Sequence, residues 1–371
     1  MSRKYHPLRV SRVVKDTKDA VEISFDIPAE LKEEYKYKQG QFLSLQLDIN
    51  GNDVRREYSL CSSPHLDEPV TIASKKVPDG YASKYLYENV IVGDTIEVFP
   101  PQGKFFTELD PAKEKFYLLI GGGSGVTPLY SILKSVLTVE PKSKIILYYG
   151  NNREEDIMFY EGLKRLESQH PDAFKLFLTL NEPGDNWDGL SGIINKQDLY
   201  KIIEDTIYVD KNSVEYFVCG PEAMMINSIA WLEDLGIPKE KIHKEYFTAP
   251  VIQNHETVEN VENEDGKIET EEGEGTSSEP KPRIVKVKLD NDEFEVTVKP
   301  RQKIIEAVME AGYDPPFSCL SGICTTCRAR LKSGKVEMDE REGLSDAEIE
   351  DGFILTCQSH PLSDDVSIDY E

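Results

Sequence analysis

The first 110 residues alternate apolar and polar positions in short runs. Residues 20–25, 41–47 and 95–99 each place an apolar side chain at about every second position, which is the period of a strand with one buried face. Glycines at positions 40, 51, 80 and 93 punctuate the runs. The pattern predicts antiparallel strands over residues 1–110, arranged as a barrel or a sandwich.

The pattern changes at Phe116. Continuous apolar runs at 116–120, 145–149, 174–180 and 216–218 indicate buried strands. Between the first two, apolar residues recur at helical spacing, at Val126, Leu129, Ile132, Leu133 and Val136. Strands that alternate with helices indicate βαβ units, so we predict an α/β domain with a parallel sheet over residues 111–249.

A strongly acidic segment separates this part from the rest of the chain. Residues 251–280 hold ten Asp and Glu residues, one Lys and no aromatic residue. Such a composition cannot bury enough apolar surface to offset the entropy of ordering. We therefore predict a disordered linker over residues 250–282 and a separate module over residues 283–371.

The last module opens as a hairpin. Apolar residues at 284, 287 and 289 and at 294, 296 and 298 flank the turn residues Asp290 and Asn291. A short helix is predicted over 303–311, with Gly312 as its C-terminal stop.

Four of the six cysteines lie in this module. The spacing Cys319-x4-Cys324-x2-Cys327, with Cys357 after 29 more residues, is that of plant-type [2Fe–2S] ligation. Zinc sites usually pair their ligands as two compact knuckles, and Cys357 has no neighbour at that spacing except His360. The module resembles the plant-type ferredoxin family, which implies an α+β, β-grasp fold and one-electron transfer by these four iron ligands.

A second motif ends a predicted strand of the first module, where Arg56, Tyr58 and Ser59 form the pattern Arg-x-Tyr-Ser. A guanidinium suits a diphosphate, a tyrosine face suits an isoalloxazine ring, and a serine hydroxyl can donate to a ring nitrogen.

A glycine-rich loop follows the strand that starts at Phe116 and opens the next helix. Glycines allow the backbone to approach a pyrophosphate, and a helix N-terminus presents amides and a favourable dipole. The spacing is not the G-x-G-x-x-G of a dehydrogenase. Its candidate dinucleotide-binding residues are Gly121, Gly122, Gly123, Ser124, Gly125, Thr127 and Pro128.

With these motifs in this order, residues 1–249 resemble the ferredoxin–NADP reductase family. The resemblance implies an FAD-binding β-barrel in which Arg56 contacts the flavin phosphate, Tyr58 packs on the ring and Ser59 lies near N5. It also implies a second flavin segment, formed by Ala73, Lys75, Gly80, Ala82 and Ser83, where a helix N-terminus with Ser83 caps the pyrophosphate.

Two further segments match that family. The Cys219-Gly220-Pro221 segment implies a cysteine beside the nicotinamide C4 and the flavin N5. Glu245 and Phe247 match its Glu-x-Phe ending, which implies that Phe247 packs near the flavin and Glu245 supports hydride transfer. The implied catalytic residues are Ser59, Cys219 and Glu245.

The sequence departs from the pattern of that family at two positions, and these differences leave the choice between NADH and NADPH open. A 2′-phosphate calls for basic residues after the second βα strand, but Arg153 is followed there by three acids. Arg153 could bind the phosphate, or the acids could hold a free ribose. A Gly-Arg that many relatives carry is matched here by Gly192-Ile193.

The net charge and the lengths of the apolar runs exclude some classes of function. A formal net charge of −25 argues against nucleic-acid binding, and it fits either simple solubility or docking to a basic partner. No run approaches the ~18 apolar residues of a membrane helix, and the N-terminus has no signal-peptide core. We expect a cytoplasmic protein without membrane association.

Together, these features predict an NAD(P)H-dependent flavin and iron–sulfur oxidoreductase. The module order is similar to that of the reductase components of phenylacetyl-CoA epoxidase and ring-hydroxylating systems, which implies a multicomponent oxygenase as the electron acceptor. Two alternatives stay open: an FMN enzyme of the phthalate dioxygenase reductase type, and a redox sensor whose cluster reports rather than transfers electrons.

Overall fold

The chain forms two compact units, Met1–Thr248 and Ala249–Glu371. The computed structural model describes residues 5–77, 80–247, 281–289, 292–313, 315–317, 322, 327–341, 343–344 and 346–370. Most of the predicted linker, residues 250–280, lies outside the described residues. Within the described part, none of the helices has the length and apolar character needed to cross a bilayer.

The first unit begins with a six-stranded antiparallel barrel. Its elements are β1 (His6–Lys15), β2 (Ala20–Asp26), β3 (Phe42–Ile49), β4 (Asn52–Ser59), β5 (Val70–Lys75), α1 (Tyr81–Glu88) and β6 (Thr95–Gln102). The strand order is β4-β3-β6-β1-β2-β5. An antiparallel bridge between Leu60 and Ile72 brings the two edges together, so the predicted strands close as a barrel rather than a sandwich. Its interior is apolar, with Ile23, Leu43 and Leu45 fully buried.

A parallel sheet with helices follows in the same unit. Its elements are β7 (Phe116–Gly122), α2 (Val126–Val139), β8 (Lys144–Asn151), α3 (Tyr160–Gln169), β9 (Phe174–Leu180), β10 (Leu190–Ser191), α4 (Lys196–Thr206), β11 (Val214–Cys219), α5 (Glu222–Asp234) and β12 (Ile242–Glu245). The order is β10-β9-β8-β7-β11-β12, and each neighbouring pair is parallel. The order reverses at β7, and ligands of such sheets bind outside the carboxyl ends of the strands at that point.

The barrel and the parallel sheet share a well-packed boundary. Cys61 of the barrel belongs to the same buried apolar cluster as the inner face of helix α2. Ser131 of that helix donates a hydrogen bond of 2.6 Å to the Ser62 carbonyl, and Lys134 pairs with Glu68 at 2.6 Å. Because both apolar and polar contacts bridge the two domains, residues from each are held in fixed relation along the cleft between them.

The second unit is a small α+β domain. Its elements are β13 (Arg283–Leu289), β14 (Asp292–Val298), α6 (Ile304–Glu310), β15 (Arg328–Ser333), β16 (Val336–Met338), α7 (Asp346–Glu350), β17 (Phe353–Leu355), β18 (Ser359–Pro361) and β19 (Ser367–Tyr370). The main sheet has the order β14-β13-β19-β15-β17, with β13 and β19 parallel. Helix α6 packs Ile304 and Val308 against Val285 and Val287 of this sheet, which is the predicted β-grasp arrangement.

The sequence patterns therefore predicted the fold class correctly. The predicted hairpin of the second unit is present as the antiparallel pair β13 and β14, in which Val285 and Val287 face the core and Ile284 is 51% exposed. The turn residues 290 and 291 lie outside the described residues. Gly312 ends α6 with a left-handed φ of 88°, as predicted.

Candidate functional site

The three predicted catalytic residues lie together at the carboxyl edge of the parallel sheet. Cys219 ends β11 and Glu245 ends the adjacent β12, and the two are register partners. Ser59 ends β4 of the barrel, and its hydroxyl donates a 3.5 Å hydrogen bond to Glu245 Oε2. Their exposed fractions are 0%, 3% and 6% for Cys219, Glu245 and Ser59. We call this group the buried corner.

Burial fixes the protonation state of the thiol in this corner. The pKa of Cys219 is raised well above its ordinary value, first by desolvation and then by the neighbouring Glu245 carboxylate. A thiolate is the reactive form of cysteine, so a thiol kept neutral is not a nucleophile. Cys219 can therefore serve as a compact, uncharged wall for a flat ring.

The flavin motif lies along the end of β4. Arg56 and Tyr58 share one face of the strand because they are two residues apart. Burial raises the pKa of Tyr58 to about 12, while a hydrogen bond with Ser74 and the Arg56 charge act in the opposite direction. The phenol is thus neutral at physiological pH. Arg56 is exposed, and its Nη1 contacts the Arg55 carbonyl at 2.6 Å, so its guanidinium can reach a ligand phosphate from the surface.

The second flavin segment places one of its residues at the domain boundary. Ala73 is 5% exposed and faces the shared core. Lys75 Nζ donates a 3.1 Å hydrogen bond to the Asp156 carbonyl and lies 3.7 Å from Asp19 Oδ1. The ammonium of Lys75 therefore links the barrel to the parallel-sheet domain.

Helix α1 carries the rest of that segment. Gly80 is the N-cap, and Ala82 and Ser83 are buried in the first turn. The Ser83 hydroxyl accepts a 3.2 Å hydrogen bond from the Val77 amide. Ser83 thus holds the chain that enters the helix, while the N-cap position itself has no side chain. A helix N-terminus whose N-cap makes no side-chain capping bond can bind an anionic group.

The glycine-rich loop needs its glycines because it packs directly on the segment that follows β11. A Cβ on Gly125 would lie 2.2 Å from the Cys219 carbonyl oxygen, and one on Gly122 would lie 2.7 Å from Pro221 Cδ. Gly123 differs, since it has a left-handed φ of 51° and no described atom within 4 Å of a Cβ position. The loop is therefore packed tightly on one side and open on the other, which is the cradle a pyrophosphate requires.

The Gly220 backbone completes the contact between these two segments. It has a φ of 156°, and a Cβ there would lie 2.9 Å from the Gly122 nitrogen. Helix α2 starts directly after the glycine loop, with Thr127 donating a 2.8 Å hydrogen bond to the Ser124 carbonyl. Pro128 in its first turn costs no helical hydrogen bond.

The far end of the same edge is polar and exposed. Arg153 follows β8, and its Nε and Nη2 donate to Glu182 Oε2 at 2.9 and 2.6 Å. The two side chains are 54% and 57% exposed. Ile193, which stands where many relatives of that family carry an arginine, is 69% exposed. We call Arg153, Glu182 and Ile193 the ribose edge.

Glu182 was missed by the sequence reasoning. It comes after β9, the third strand, whereas residues near the ribose were sought only after the second strand and at Gly192-Ile193. The topology rule that carboxyl ends of parallel strands meet at one edge would have placed it beside Arg153.

Phe247, predicted to pack near the flavin, is 46% exposed at the end of the described part of the first unit. Its position two residues after Glu245 places it next to the buried corner in the chain.

In the second unit, two of the four predicted iron ligands are described. Cys327 and Cys357 are buried, at 1% and 0% exposed. The pairing of β15 with β17 brings them close, and Thr356 donates to the Cys327 carbonyl through both its amide, at 3.2 Å, and its hydroxyl, at 2.9 Å. Cys319 and Cys324 lie outside the described residues.

Gly322, which lies between those two cysteines in the sequence, packs beside the residue that follows Cys357. Gly322 has a left-handed φ of 78°, and a Cβ there would lie 2.9 Å from Gln358 Cγ. Gln358 directly follows Cys357 and contacts its sulfur at 3.5 Å. A buried pair of thiols with a close glycine backbone fits an iron–sulfur cluster, whose sulfurs need nearby donors.

The fold and these sites define a class of oxidoreductase that combines flavin, nicotinamide and iron–sulfur domains. Residues 7–107 match the oxidoreductase FAD-binding domain, residues 119–228 the oxidoreductase NAD-binding domain, and residues 287–362 the 2Fe-2S iron-sulfur cluster binding domain.

Curated relatives match this chain over nearly their whole length. The chain is 33% identical over 367 residues to a subunit of the 1,2-phenylacetyl-CoA epoxidase of Escherichia coli (strain K12), covering 99% of this chain and 98% of that protein. It is 33% identical over 365 residues to the 3-ketosteroid-9-alpha-monooxygenase ferredoxin reductase component of Rhodococcus rhodochrous, covering 98% and 96%. The chain belongs to this family of ferredoxin reductase-type oxidoreductases.

A solved structure shows the same fold. Phthalate dioxygenase reductase matches with a TM-score of 0.58 at 22% identity, covering 99% of this chain and 98% of that chain. This likeness supports the order and architecture of the three domains.

Proposed function

We propose that the protein accepts a hydride from a reduced nicotinamide at FAD in the first unit and passes single electrons through a [2Fe–2S] cluster in the second unit to an oxygenase. The observation that carries the proposal is the buried corner, where Ser59 of the barrel meets Cys219 and Glu245 of the parallel sheet. A flavin, when bound, supplies the conversion of a two-electron donor into single electrons.

Each side chain in the proposed flavin site has a separate task. Arg56 holds the flavin phosphate by charge, and the neutral ring of Tyr58 packs on the isoalloxazine. Ser59 orients the reactive edge through its hydroxyl, which Glu245 holds in place. Because Ser59 and Glu245 are buried, the hydrogen bond between them acts at low effective dielectric, whereas Arg56 acts from the exposed surface.

The proposed nicotinamide site uses the remaining edge of the sheet. The glycine loop from Gly121 to Gly125 binds the pyrophosphate, with the N-terminus of α2 behind it. The Gly220-Pro221 segment and the uncharged Cys219 form the floor beneath the nicotinamide. Cys219 is fully buried and keeps water from its part of this floor, whereas Pro221 is exposed.

We further propose that NADH is the preferred donor. Arg153, the basic residue nearest the ribose position in sequence, is already bound through two nitrogens to Glu182. Ile193 offers no charge, and Glu154 beside Arg153 is acidic and exposed. A 2′-phosphate would have to compete with Glu182 for Arg153 and would face its carboxylate, whereas a ribose hydroxyl can donate to an acid.

The proposed acceptor is the oxygenase of a multicomponent system. The relatives named above are a subunit of an epoxidase and the ferredoxin reductase component of a monooxygenase, and this chain matches them over nearly its whole length. Transfer to such a partner requires the four thiolates Cys319, Cys324, Cys327 and Cys357 to hold the cluster. A cytoplasmic location belongs to the same proposal, because that compartment keeps such thiols reduced.

The test combines cofactor analysis with rapid kinetics. The extracted flavin is identified by mass, which separates FAD from the FMN of the alternative enzyme type. Anaerobic stopped-flow then follows flavin bleaching with NADH and with NADPH. We expect the extracted flavin to be FAD. We expect NADH to bleach the flavin faster than NADPH does, and at a lower concentration. A flavin that neither donor bleaches would overturn the proposal, and bleaching without electron delivery to ferricyanide or cytochrome c would favour the redox sensor.

A further inference from the structure

The glycine loop rests on a buried tyrosine that no motif identified. Tyr149 of β8 is fully buried and is the register partner of Gly121 on β7. Its ring lies beside the glycine, since a Cβ on Gly121 would be 3.6 Å from Tyr149 Cδ2. Tyr149 therefore lies directly beside the first glycine of the loop.

The hydroxyl of Tyr149 makes a directed contact with that loop. It donates a 2.9 Å hydrogen bond to the Gly123 carbonyl and accepts one of 3.3 Å from the Met158 amide. Burial raises the pKa of Tyr149, so the hydroxyl keeps its proton and stays a donor. The Gly123 carbonyl also accepts from the Val126 amide at the start of α2.

This contact fixes the orientation of a peptide plane. In a trans peptide the C=O and the following N–H point in opposite directions. Because Tyr149 and Val126 hold the Gly123 carbonyl on the packed side of the loop, the Ser124 N–H is directed to the other side. Thr127 holds the Ser124 carbonyl in the same way, which orients the Gly125 N–H. Successive amides after a left-handed residue form an anion-binding concavity.

We infer that Tyr149 is a positioning residue for the dinucleotide pyrophosphate, acting through the Gly123–Ser124 peptide. The inference rests on the proposed function of the glycine loop and adds a residue outside its motif. Without the hydroxyl, the Gly123 carbonyl loses one of its two donors and the peptide can rotate. Loop amides then have to be ordered when the ligand binds, which lowers affinity.

The test is the binding of ADP-ribose, which carries the pyrophosphate but no nicotinamide, to the full-length flavin-loaded protein. Tyr149→Phe keeps the buried ring and removes only the hydroxyl. We expect its dissociation constant for ADP-ribose, by titration calorimetry, to rise about 5- to 10-fold, the size expected for one hydrogen bond. Flavin content should equal that of the unmodified protein. The KM for NADH should rise while kcat at saturation stays within about twofold.

Tyr148→Phe is the matched control. Tyr148 is the preceding residue on β8, is also fully buried, and packs on the opposite face of the sheet. The Tyr148→Phe variant also loses one buried phenol hydroxyl, but it should bind ADP-ribose like the unmodified protein. Thr127→Val, which removes the donor to the Ser124 carbonyl, provides a second test if Tyr149→Phe does not fold, and should also weaken binding.

Three results would overturn the inference. If Tyr149→Phe binds ADP-ribose within about twofold of the unmodified protein, or if Tyr148→Phe weakens binding equally, Tyr149 does not position the loop, and the proposed function stands. If the unmodified protein binds no ADP-ribose and neither nicotinamide reduces its flavin, the proposed function fails together with the inference.

Discussion

The buried corner and the ribose edge lie on the same edge of one parallel sheet, but they differ in solvent exposure. Cys219 and Glu245 are 0% and 3% exposed, whereas Arg153 and Glu182 are 54% and 57% exposed. Charges that are shielded from water interact strongly, whereas exposed ion pairs contribute little to stability. The reacting end of the site should therefore be intolerant of substitution, and the recognition end should be adjustable by single residues.

The largest effect is expected from Glu245→Gln. The change keeps the volume of the side chain and removes the charge that lies beside Ser59 and Cys219. We expect the rate of flavin reduction by NADH to fall about 100-fold, as for other preorganised charges in shielded sites. Anaerobic stopped-flow measures this rate.

The control for this change is Glu215→Gln on β11. Glu215 pairs with Lys241 at 2.7 Å and lies outside the corner. Its variant should reduce the flavin within about twofold of the unmodified rate. Equal losses in both variants would mean that Glu245 has only a structural role.

The next prediction concerns the thiol of the corner. Because burial raises the pKa of Cys219, its thiolate should be scarce up to about pH 9, above the ordinary range of cysteine pKa values. Iodoacetamide should label Cys219 at least about tenfold more slowly in the folded protein than in the denatured protein, as measured by peptide mass spectrometry. Fast labelling near pH 7 would show that the corner is open to water.

A smaller effect is expected at the ribose edge. Glu182→Gln releases Arg153 and removes a carboxylate that would face a 2′-phosphate. We expect the KM for NADPH to fall about fivefold, while that for NADH changes little, because the ion pair is exposed. Steady-state kinetics with both donors measures the ratio.

Glu167→Gln is the matched control for that variant. It removes a carboxylate of α3 that pairs with Lys164, and it should leave both KM values unchanged. If the Glu182→Gln variant keeps the same ratio of KM values for NADPH and NADH as the unmodified protein, the ribose edge does not determine which donor is preferred.

The smallest expected effect is on stability at the boundary between the two domains. Asp16 accepts a 2.8 Å hydrogen bond from the Phe159 amide, and burial raises its pKa. A carboxyl with a raised folded-state pKa contributes most to stability below its unfolded pKa of about 3.9, and this contribution is lost as the pH rises through the folded value. Asp16→Asn keeps an acceptor without the charge.

We therefore expect Asp16→Asn to be more stable than the unmodified protein at pH 7, by up to about 1 kcal/mol. The difference should shrink toward pH 4, as measured by thermal unfolding across this range. Asp26→Asn, at an exposed position at the end of β2, should show no such trend. If the extra stability of Asp16→Asn grew as the pH fell, the predicted direction of its pH dependence would be wrong.

Much of the fold was predictable because its signals are local. The alternating runs of the barrel and the apolar runs of β7, β8, β9 and β11 follow from burial on one or both faces of a strand, and the glycine loop is recognised from its composition between a buried strand and a helix. Strand β12 was missed because its sequence, Ile-His-Lys-Glu, has no apolar run. It is a strand because β11 supplies its hydrogen-bonding partners.

A residue of the site could be predicted from the sequence only where it belongs to a recognisable motif. Ser59, Cys219 and Glu245 were named from their motifs, and the structure brings all three together. Tyr149 and Glu182 were not, because a tyrosine in a buried strand and an acid in a turn have no distinctive pattern. Their roles depend on which strands are neighbours in the sheet, which is a property of the tertiary structure.

The central claim is that electrons enter at the buried corner and leave through the iron–sulfur cluster. The most direct test reduces the anaerobic protein with NADH and follows the cluster by electron paramagnetic resonance, beside a Cys357→Ser variant. The account predicts that the unmodified protein gives the signal of a reduced [2Fe–2S] cluster, and that Cys357→Ser bleaches its flavin without that signal. A bleached flavin beside a cluster that stays oxidised in the unmodified protein would contradict it.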